Sequence, residues 1–239
     1  MNFRRIIILS ALFCLATTVL QAQLPDIASK LLGGGSAGFT EQEAANGIRE
    51  ALQKGINTGV ALVSKTDGYF GNPEIKIPFP PEVIKIEKTL NTMGLGNFTE
   101  EVVLTMNRAA EEAAKEALPI FTAAIRKMNL NDAIGIVKGP DNAATQYLSK
   151  TSTQQLQEAF KPVIQRALNH VNATQAWEAA VNAYNQIPFV SRQETNLTDY
   201  VTGKAIDGLF TMIAKEELKI RRDPAGRTTD LLKKVFGKL

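Results

Sequence analysis

Apolar side chains recur at helical spacing along most of this chain, and this period constrains its fold more than any other feature. The clearest run begins at Thr40 and Glu43, which have the spacing of a capping box, and extends to about Lys65. A second stripe, made mostly of small residues, runs beside the apolar stripe and predicts close contact with another helix. The apolar stripe comprises Ile48, Leu52, Ile56, Val60 and Val63, and the small stripe comprises Ala51, Gly55, Gly59 and Leu62.

Further helical patterns follow towards the end of the chain. Ser152 has the position of an N-cap, and Pro162 is expected to kink or restart the helix that contains it. Because neither a fixed repeat nor an alternation of strands with helices is visible, the sequence predicts an all-α fold, an irregular multi-helix bundle. The predicted helices are one that begins at Thr99 and others at residues 82–93, 119–128, 130–137, 142–148, 153–171, 174–185, 198–220 and 229–236.

One segment, residues 65–81, cannot continue a helix. Its sequence, KTDGYFGNPEIKIPFPP, contains the turn sequences DG and GNP and ends with three prolines that favour extended backbone. The two isoleucines and the second phenylalanine alternate with lysine and proline, so one face is expected to lie against the helices. We therefore predict an extended or hairpin-like loop insert around residues 65–81.

The first 22 residues have the pattern of a signal peptide. Arg4 and Arg5 precede an apolar stretch that ends at Leu20, and Ala22 marks the expected cleavage edge. A retained N-terminal anchor is the alternative. Cleavage would remove Cys14, the only cysteine, and would lower the net charge from +3 to +1. A mature chain with so small a charge gives little reason to expect nucleic-acid binding.

The sequence thus predicts three parts: the signal peptide at residues 1–22, a flexible Gly-rich segment at 23–39, and a single helical domain at 40–239. Two subdomains that meet near residues 135–141 are the alternative. The mature chain is expected to have no transmembrane segment and no cysteine, so that its stability depends on burial of apolar surface.

The histidine content argues against most metal-dependent catalysis. His170 is the only histidine, whereas the common zinc and iron sites use two or more. No phosphate-binding loop or nucleophile elbow is present, so the sequence predicts no cofactor and no metal. Glu111, Glu112 or Asp67 remains as a candidate general acid. However, cationic residues at helical spacing from the two glutamates indicate the ion pairs of a solvated helix face.

Recognition is expected where the insert meets the neighbouring helix, because ordered non-helical segments often carry binding residues. A structural clasp is the favoured main role of the insert, and contact with a ligand or partner is its secondary role. A carrier with an apolar cavity between the Ala-rich helices is a further alternative. The candidate contact residues are Asp67, Tyr69, Phe70, Asn72, Asn107, Arg108 and Glu111.

Several long strings resemble a bacterial family named domain of unknown function 4197, over Thr40 to the C-terminus. They are KTDGYFGNPEIKIPFPP, MNRAAEEAA, DNAATQYL and DYVTGKAIDGLFTMIAKEE followed by RRDPAGRTTDLLKKVFG. The resemblance implies an exported, largely helical protein of Gram-negative bacteria and supplies no catalytic residues. We therefore expect a periplasmic, non-catalytic binding or interaction module of the cell envelope, with a protein or small-molecule partner. An envelope hydrolase and a carrier of a small apolar ligand are the alternatives.

Overall fold

A computed structural model describes residues 40–79, 96–186 and 196–223. These residues contain helices, turns and extended connections but no strand, which confirms the all-α fold class. The predicted helices at 82–93 and 229–236, and everything before Thr40, lie outside the described residues. The helices are α1 (Glu41–Ser64), α2 (Gly96–Ala113), α3 (Ala117–Lys127), α4 (Leu130–Lys138), α5 (Ala143–His170), α6 (Ala173–Asn185) and α7 (Leu197–Arg222), and a 3₁₀ turn, Ala114–Glu116, joins α2 to α3.

Helix α1 begins with the predicted capping box. The Thr40 hydroxyl accepts a hydrogen bond from the Glu43 amide at 3.1 Å, and the Glu43 carboxylate accepts one from the Thr40 amide at 2.7 Å. Its small-residue stripe faces α7, where a Cβ added at Gly59 would lie 3.1 Å from Cγ1 of Ile213. The close helix contact that the sequence predicted is therefore confirmed, and α7 is the partner.

Helix α7 packs against both α1 and α5, and α5 also packs against α2 and α3. The predicted apolar face of α7 is buried between these neighbours. Because α7 shares surface with both long helices, its burial removes a large apolar area from water. This face comprises Val201, Ala205, Leu209 and Ile213.

Helix boundaries differ from the sequence prediction in two places. The segments predicted at 142–148 and 153–171 form one helix, α5, in which Ser152 is 1% exposed and Pro162 interrupts nothing. The buried face of α5 continues through Ser152 and past Pro162. The packing of this face stabilises the helix by more than the loss of one hydrogen bond at the proline destabilises it. Helix α2 begins at Gly96, three residues before the predicted start at Thr99. Apolar spacing shows where a helix lies but does not define its first and last residues.

A buried carboxylate organises the start of α5. Glu217 of α7 is 8% exposed and accepts hydrogen bonds from the amides of Ala144 and Thr145 at 2.9 and 2.8 Å. Arg221 binds the same carboxylate at 2.9 Å and also donates to the carbonyl of Ile136 at 2.9 Å. Glu217 thus satisfies amides that helix α5 leaves unpaired and connects α4, α5 and α7.

The insert is non-helical, as the sequence predicted. Its described part, residues 65–79, consists of consecutive turns as far as Ile75 and then extended backbone, and it does not pair as a strand with any described residue. Ile75 and Ile77 are buried, whereas Lys76 is exposed. The alternation of apolar and exposed residues therefore anchors an extended segment on the helices without forming a hairpin.

Two glycines of α7 provide a matched test of how closely the insert packs. A Cβ at Gly208 would lie 2.7 Å from Cε1 of Tyr69 and 3.1 Å from Cβ of Ile75, whereas a Cβ at Gly203 would meet nothing within 4 Å. We expect Gly208→Ala to lower the free energy of unfolding by about 1–3 kcal/mol through overpacking. Gly203→Ala should raise it by up to about 1 kcal/mol through helix propensity. Urea denaturation measures both values, and equal effects of the two variants would contradict the packing.

Candidate functional site

The insert reverses direction immediately after α1. Asp67 adopts a left-handed backbone conformation with φ 62°, and the Gly68 amide donates to the carbonyl of Lys65 at 2.9 Å. A Cβ at Gly68 would lie 2.3 Å from the carbonyl oxygen of Val63, so only glycine fits this position. Gly68 is therefore required by the close approach of two backbone segments.

The side chain of Glu111 hydrogen bonds the insert to helix α2. This side chain is 5% exposed, and Oε1 accepts hydrogen bonds from the amides of Tyr69 and Phe70 at 3.1 and 3.2 Å. Oε2 accepts a hydrogen bond from Arg108 at 2.7 Å, and the other guanidinium nitrogen of Arg108 donates to Asp67 at 2.7 Å. One buried carboxylate thus binds two backbone amides and the arginine that also holds the turn.

Asn107 supplies a second bond between α2 and the insert. The side chain is fully buried; Oδ1 accepts from the Ile77 amide at 2.8 Å, and Nδ2 donates to the Ile77 carbonyl at 2.9 Å. A side-chain amide here pairs with both backbone groups of one residue, as a neighbouring strand would. This explains how the extended segment is buried without a sheet.

Helix α7 holds the opposite side of the insert. The Tyr69 hydroxyl donates to the carbonyl of Ala205 at 2.6 Å, and the Tyr200 hydroxyl donates to the carbonyl of Pro78 at 3.0 Å. Asn72 approaches Sδ of Met212 at 3.6 Å, and Glu74 forms an ion pair with Lys215. The insert therefore connects α2 to α7, and we call its described residues, 65–79, the clasp.

An aromatic ring lies close to two cations at the surface of the clasp. The half-buried Phe70 ring has Nζ of Lys76 4.1 Å from its centroid and Cζ of Arg108 at 5.7 Å. The hydrogen bonds that Arg108 donates to Glu111 and then to Asp67 raise the pKa of its guanidinium, which therefore stays charged. Leu104, one helical turn before Arg108, is 37% exposed. We call Asp67, Phe70, Lys76, Leu104 and Arg108 the contact surface.

The structure brings the seven candidate contact residues to one region but divides them between interior and surface. Tyr69, Asn107 and Glu111 are buried, and Asp67, Phe70, Asn72 and Arg108 reach solvent. The expectation that Glu111 and Glu112 lie on a solvated face is wrong for Glu111, because its carboxylate is enclosed by the clasp. It holds for the neighbouring Glu112, which is exposed and forms an ion pair with Lys115.

Sequence reasoning missed Glu217, whose role resembles that of Glu111. A signal was available, because Glu217 follows Ile213 by four residues and so interrupts the apolar stripe of α7. A carboxylate on an apolar stripe is buried and therefore needs hydrogen-bond partners. The partners of Glu217 are amides about 70 positions earlier in the chain. The partners could not be identified from local spacing.

Two cavities lie near the centre of the helices and beside the clasp. The apolar cavity between α1, α4, α5 and α7 has a volume of about 20 Å³, which is room for about one water molecule. An open groove of about 260 Å³ runs between residues 74–78 of the clasp and α7. Within residues 40–79, 96–186 and 196–223, no three histidine, cysteine, aspartate or glutamate side chains come together as a metal site.

Comparison with known proteins places the chain in a family. The family model described as Protein of unknown function (DUF4197) matches residues 38–237. The chain belongs to the DUF4197 family. No curated protein and no solved structure matches this DUF4197 chain. In the part that the structure describes, no helix of the DUF4197 chain is long and apolar enough to cross a bilayer.

Adjacent glutamates of α2 test the role of the buried carboxylate. We expect Glu111→Ala to lower the free energy of unfolding by about 2–3 kcal/mol, because two buried amides and one arginine lose their acceptor. Glu112→Ala should change it by less than about 0.5 kcal/mol, since this side chain is exposed. Amide hydrogen exchange at Tyr69 and Phe70 should accelerate in the first variant alone. Unchanged exchange there would remove Glu111 from its assigned role.

Burial of Tyr69 predicts a loss of stability at alkaline pH. Desolvation, and then the charges of Glu111 and Asp207, raise the pKa of this phenol above its ordinary value. In the unfolded chain Tyr69 ionises near pH 10, whereas in the folded chain it stays neutral. The contribution of Tyr69 to the free energy of unfolding is therefore intact below pH 10 and falls as the pH rises further.

Tyr69→Phe isolates this effect. At pH 7 the variant should be less stable by about 1 kcal/mol, because the hydrogen bond to Ala205 is lost. At pH 11 that difference should vanish, since ionisation of Tyr69 costs the original protein about 1.4 kcal/mol. Urea denaturation of both proteins at each pH measures the difference, and a difference that does not change with pH would refute the assignment.

Proposed function

We propose that this protein is a non-catalytic binding or interaction module of the cell envelope, and that the contact surface binds its partner. The observation that carries the proposal is the rigid support of this surface. Asp67 is exposed and Phe70 is half-buried, but their backbone is held by Glu111 and by the turn at Gly68. A surface that is ordered before binding loses little conformational entropy when a partner arrives.

The composition of the contact surface also supports a binding role. Aromatic and arginine side chains contribute much of the binding energy at protein interfaces. Here Phe70 and Arg108 lie side by side, and Leu104 adds an exposed apolar side chain one turn away. We infer a protein or small-molecule partner and no nucleic acid, because the proposed mature chain has a net charge of only +1.

We further propose that the protein is exported to the periplasm of a Gram-negative bacterium. Support comes from the arginines and the apolar stretch of residues 1–22, which have the pattern of a cleaved signal peptide. The mature chain would begin at Gln23. Mass spectrometry of the protein from a periplasmic extract measures this N-terminus, and an uncleaved chain in the cytoplasmic fraction would refute export.

Neither alternative function gains a specific observation. A hydrolase would need a carboxylate that can reach substrate, but Glu111 has both oxygens engaged, and Asp67 and Glu112 form ion pairs. A carrier of a small apolar ligand would need a cavity of several hundred Å³, about the size of known ligand pockets. The apolar cavity among the described helices has a volume of about 20 Å³.

Site-specific photo-crosslinking in living cells tests the binding role. A photoreactive phenylalanine at position 70 or 76 should yield the same crosslinked product, because both side chains belong to the contact surface. Lys127 is the matched control: it is exposed and lies beside Met128, which contacts Arg49 near the start of α1. That end of α1 is about 24 Å from the clasp. Products that appear equally from Lys127, or no product from either contact position, would refute the proposal.

A further inference from the structure

A methionine of α7 lies against the clasp. The side-chain amide of Asn72 donates to Sδ of Met212 at 3.6 Å, and Oδ1 of the same amide accepts from the backbone amide of Glu74 at 3.1 Å. In the same helix, Lys215 forms an ion pair with Glu74. Asn72 therefore connects a turn of the clasp to the sulfur atom of Met212.

Burial separates Met212 from the other methionines of the described residues. Met106 and Met128 are buried in the helical core, whereas Met212 is half-buried. Oxidation of a thioether requires that the oxidant reaches the sulfur atom. The contact with Asn72 occupies one lone pair of Sδ, and the second lone pair is free to react. Among the methionines that the structure describes, Met212 is therefore the one that a dissolved oxidant reaches first.

The bond between Asn72 and the sulfur is weak, because a thioether sulfur is a poor hydrogen-bond acceptor. We propose that Met212 is an oxidative modification site, at which hydrogen peroxide forms a sulfoxide that binds the clasp more tightly than the thioether does. The peroxide transfers one oxygen atom to Sδ: an S–O bond forms, the O–O bond breaks, and water leaves. The sulfur loses two electrons, and the peroxide gains them.

The geometry around Sδ suits the oxidised product. Nδ2 of Asn72 is 3.6 Å from the sulfur. An oxygen bonded to that sulfur can lie about 2.9 Å from Nδ2, the usual length of an N–H···O hydrogen bond. The methionine side chain is flexible, so rotation about its Cγ–Sδ bond turns the oxygen towards Asn72 from whichever lone pair is oxidised.

The half-buried position of Met212 limits the cost of the added polar group. A polar oxygen in the core would lose its bonds to water, whereas a sulfoxide at Met212 stays partly hydrated. The sulfoxide oxygen is also a stronger acceptor than the thioether sulfur. Oxidation should therefore strengthen the connection between the clasp and α7 instead of disrupting it.

Limited treatment with hydrogen peroxide, followed by peptide mass spectrometry, tests the selectivity of the reaction. Met212 should gain one oxygen atom about tenfold faster than Met106 and Met128, because both of these are buried. Equal oxidation rates at the three methionines, or slower oxidation at Met212, would overturn the proposal.

Amide hydrogen exchange measures the tightening of the clasp. The amides of Ile75 and Lys76 both donate to the carbonyl of Asn72, so their exchange reports how often this turn opens. Replacement of the weak N–H···S contact by an N–H···O hydrogen bond should slow both exchange rates about fivefold. Unchanged or faster exchange in the oxidised protein would contradict the proposed role of the sulfoxide.

Asn72→Asp isolates the donor. Aspartate keeps the side-chain oxygen that accepts from the Glu74 amide but lacks the N–H groups that reach Met212. Oxidation of this variant should leave the exchange of Ile75 and Lys76 unchanged. If oxidation slows exchange equally in the variant and in the original protein, the sulfoxide oxygen does not bind Asn72 and the proposal fails.

Met212→Leu is the control for oxidation elsewhere in the chain. Leucine nearly conserves the volume of methionine, so this variant should stay folded. Exchange at the Ile75 and Lys76 amides should not respond to peroxide in this variant. A fivefold slowing there would assign the effect to another methionine and refute the site.

Methionine sulfoxide reductase tests whether the modification is reversible. The enzyme removes the added oxygen, so exchange should return to the rate of the untreated protein. Exchange that stays slow after Met212 has been reduced would also refute the site. None of these measurements involves the contact surface or its partner, so failure of the modification site leaves the proposed binding role unaffected.

Discussion

The backbone of the clasp pairs with no strand among the described residues. The surrounding structure depends on how the amides and carbonyls of the clasp are hydrogen bonded instead. Buried amides and carbonyls must be hydrogen bonded, because an unpaired group loses its bonds to water without replacement. In a helical protein the donors and acceptors of the neighbours are already used within their own helices. Side chains therefore perform the task, and Glu111 and Asn107 form these bonds.

The same solution occurs at the start of α5. Glu217 receives two backbone amides of α5 and is paired with Arg221, as Glu111 receives two amides of the clasp and is paired with Arg108. In both places a buried carboxylate lies between an arginine and a backbone segment whose amides have no backbone acceptor. Hydrogen bonds are directional, so these bonds determine how the backbone segments are oriented. Burial of apolar surface is not directional and only brings the segments together.

This arrangement bears on function through rigidity. A clasp that is bonded to α2 on one side and to α7 on the other presents Phe70 and Arg108 in one geometry. The proposal for the contact surface rests on this fixed geometry, because a surface that is ordered before binding loses little conformational entropy when a partner binds.

The sequence by itself determined which of the described segments are helical, that residues 65–79 are not, and that the small stripe of α1 receives another helix. These properties follow from local chemistry: a capping box, helical spacing, and the turn-forming glycines and prolines. Only the tertiary structure decided that α7 is the partner of that stripe, that Ser152 lies within a continuous helix, and that Glu111 is buried while Glu112 is not. Burial and pairing join residues far apart in the chain, and local spacing carries no information about which distant backbone amides need a carboxylate.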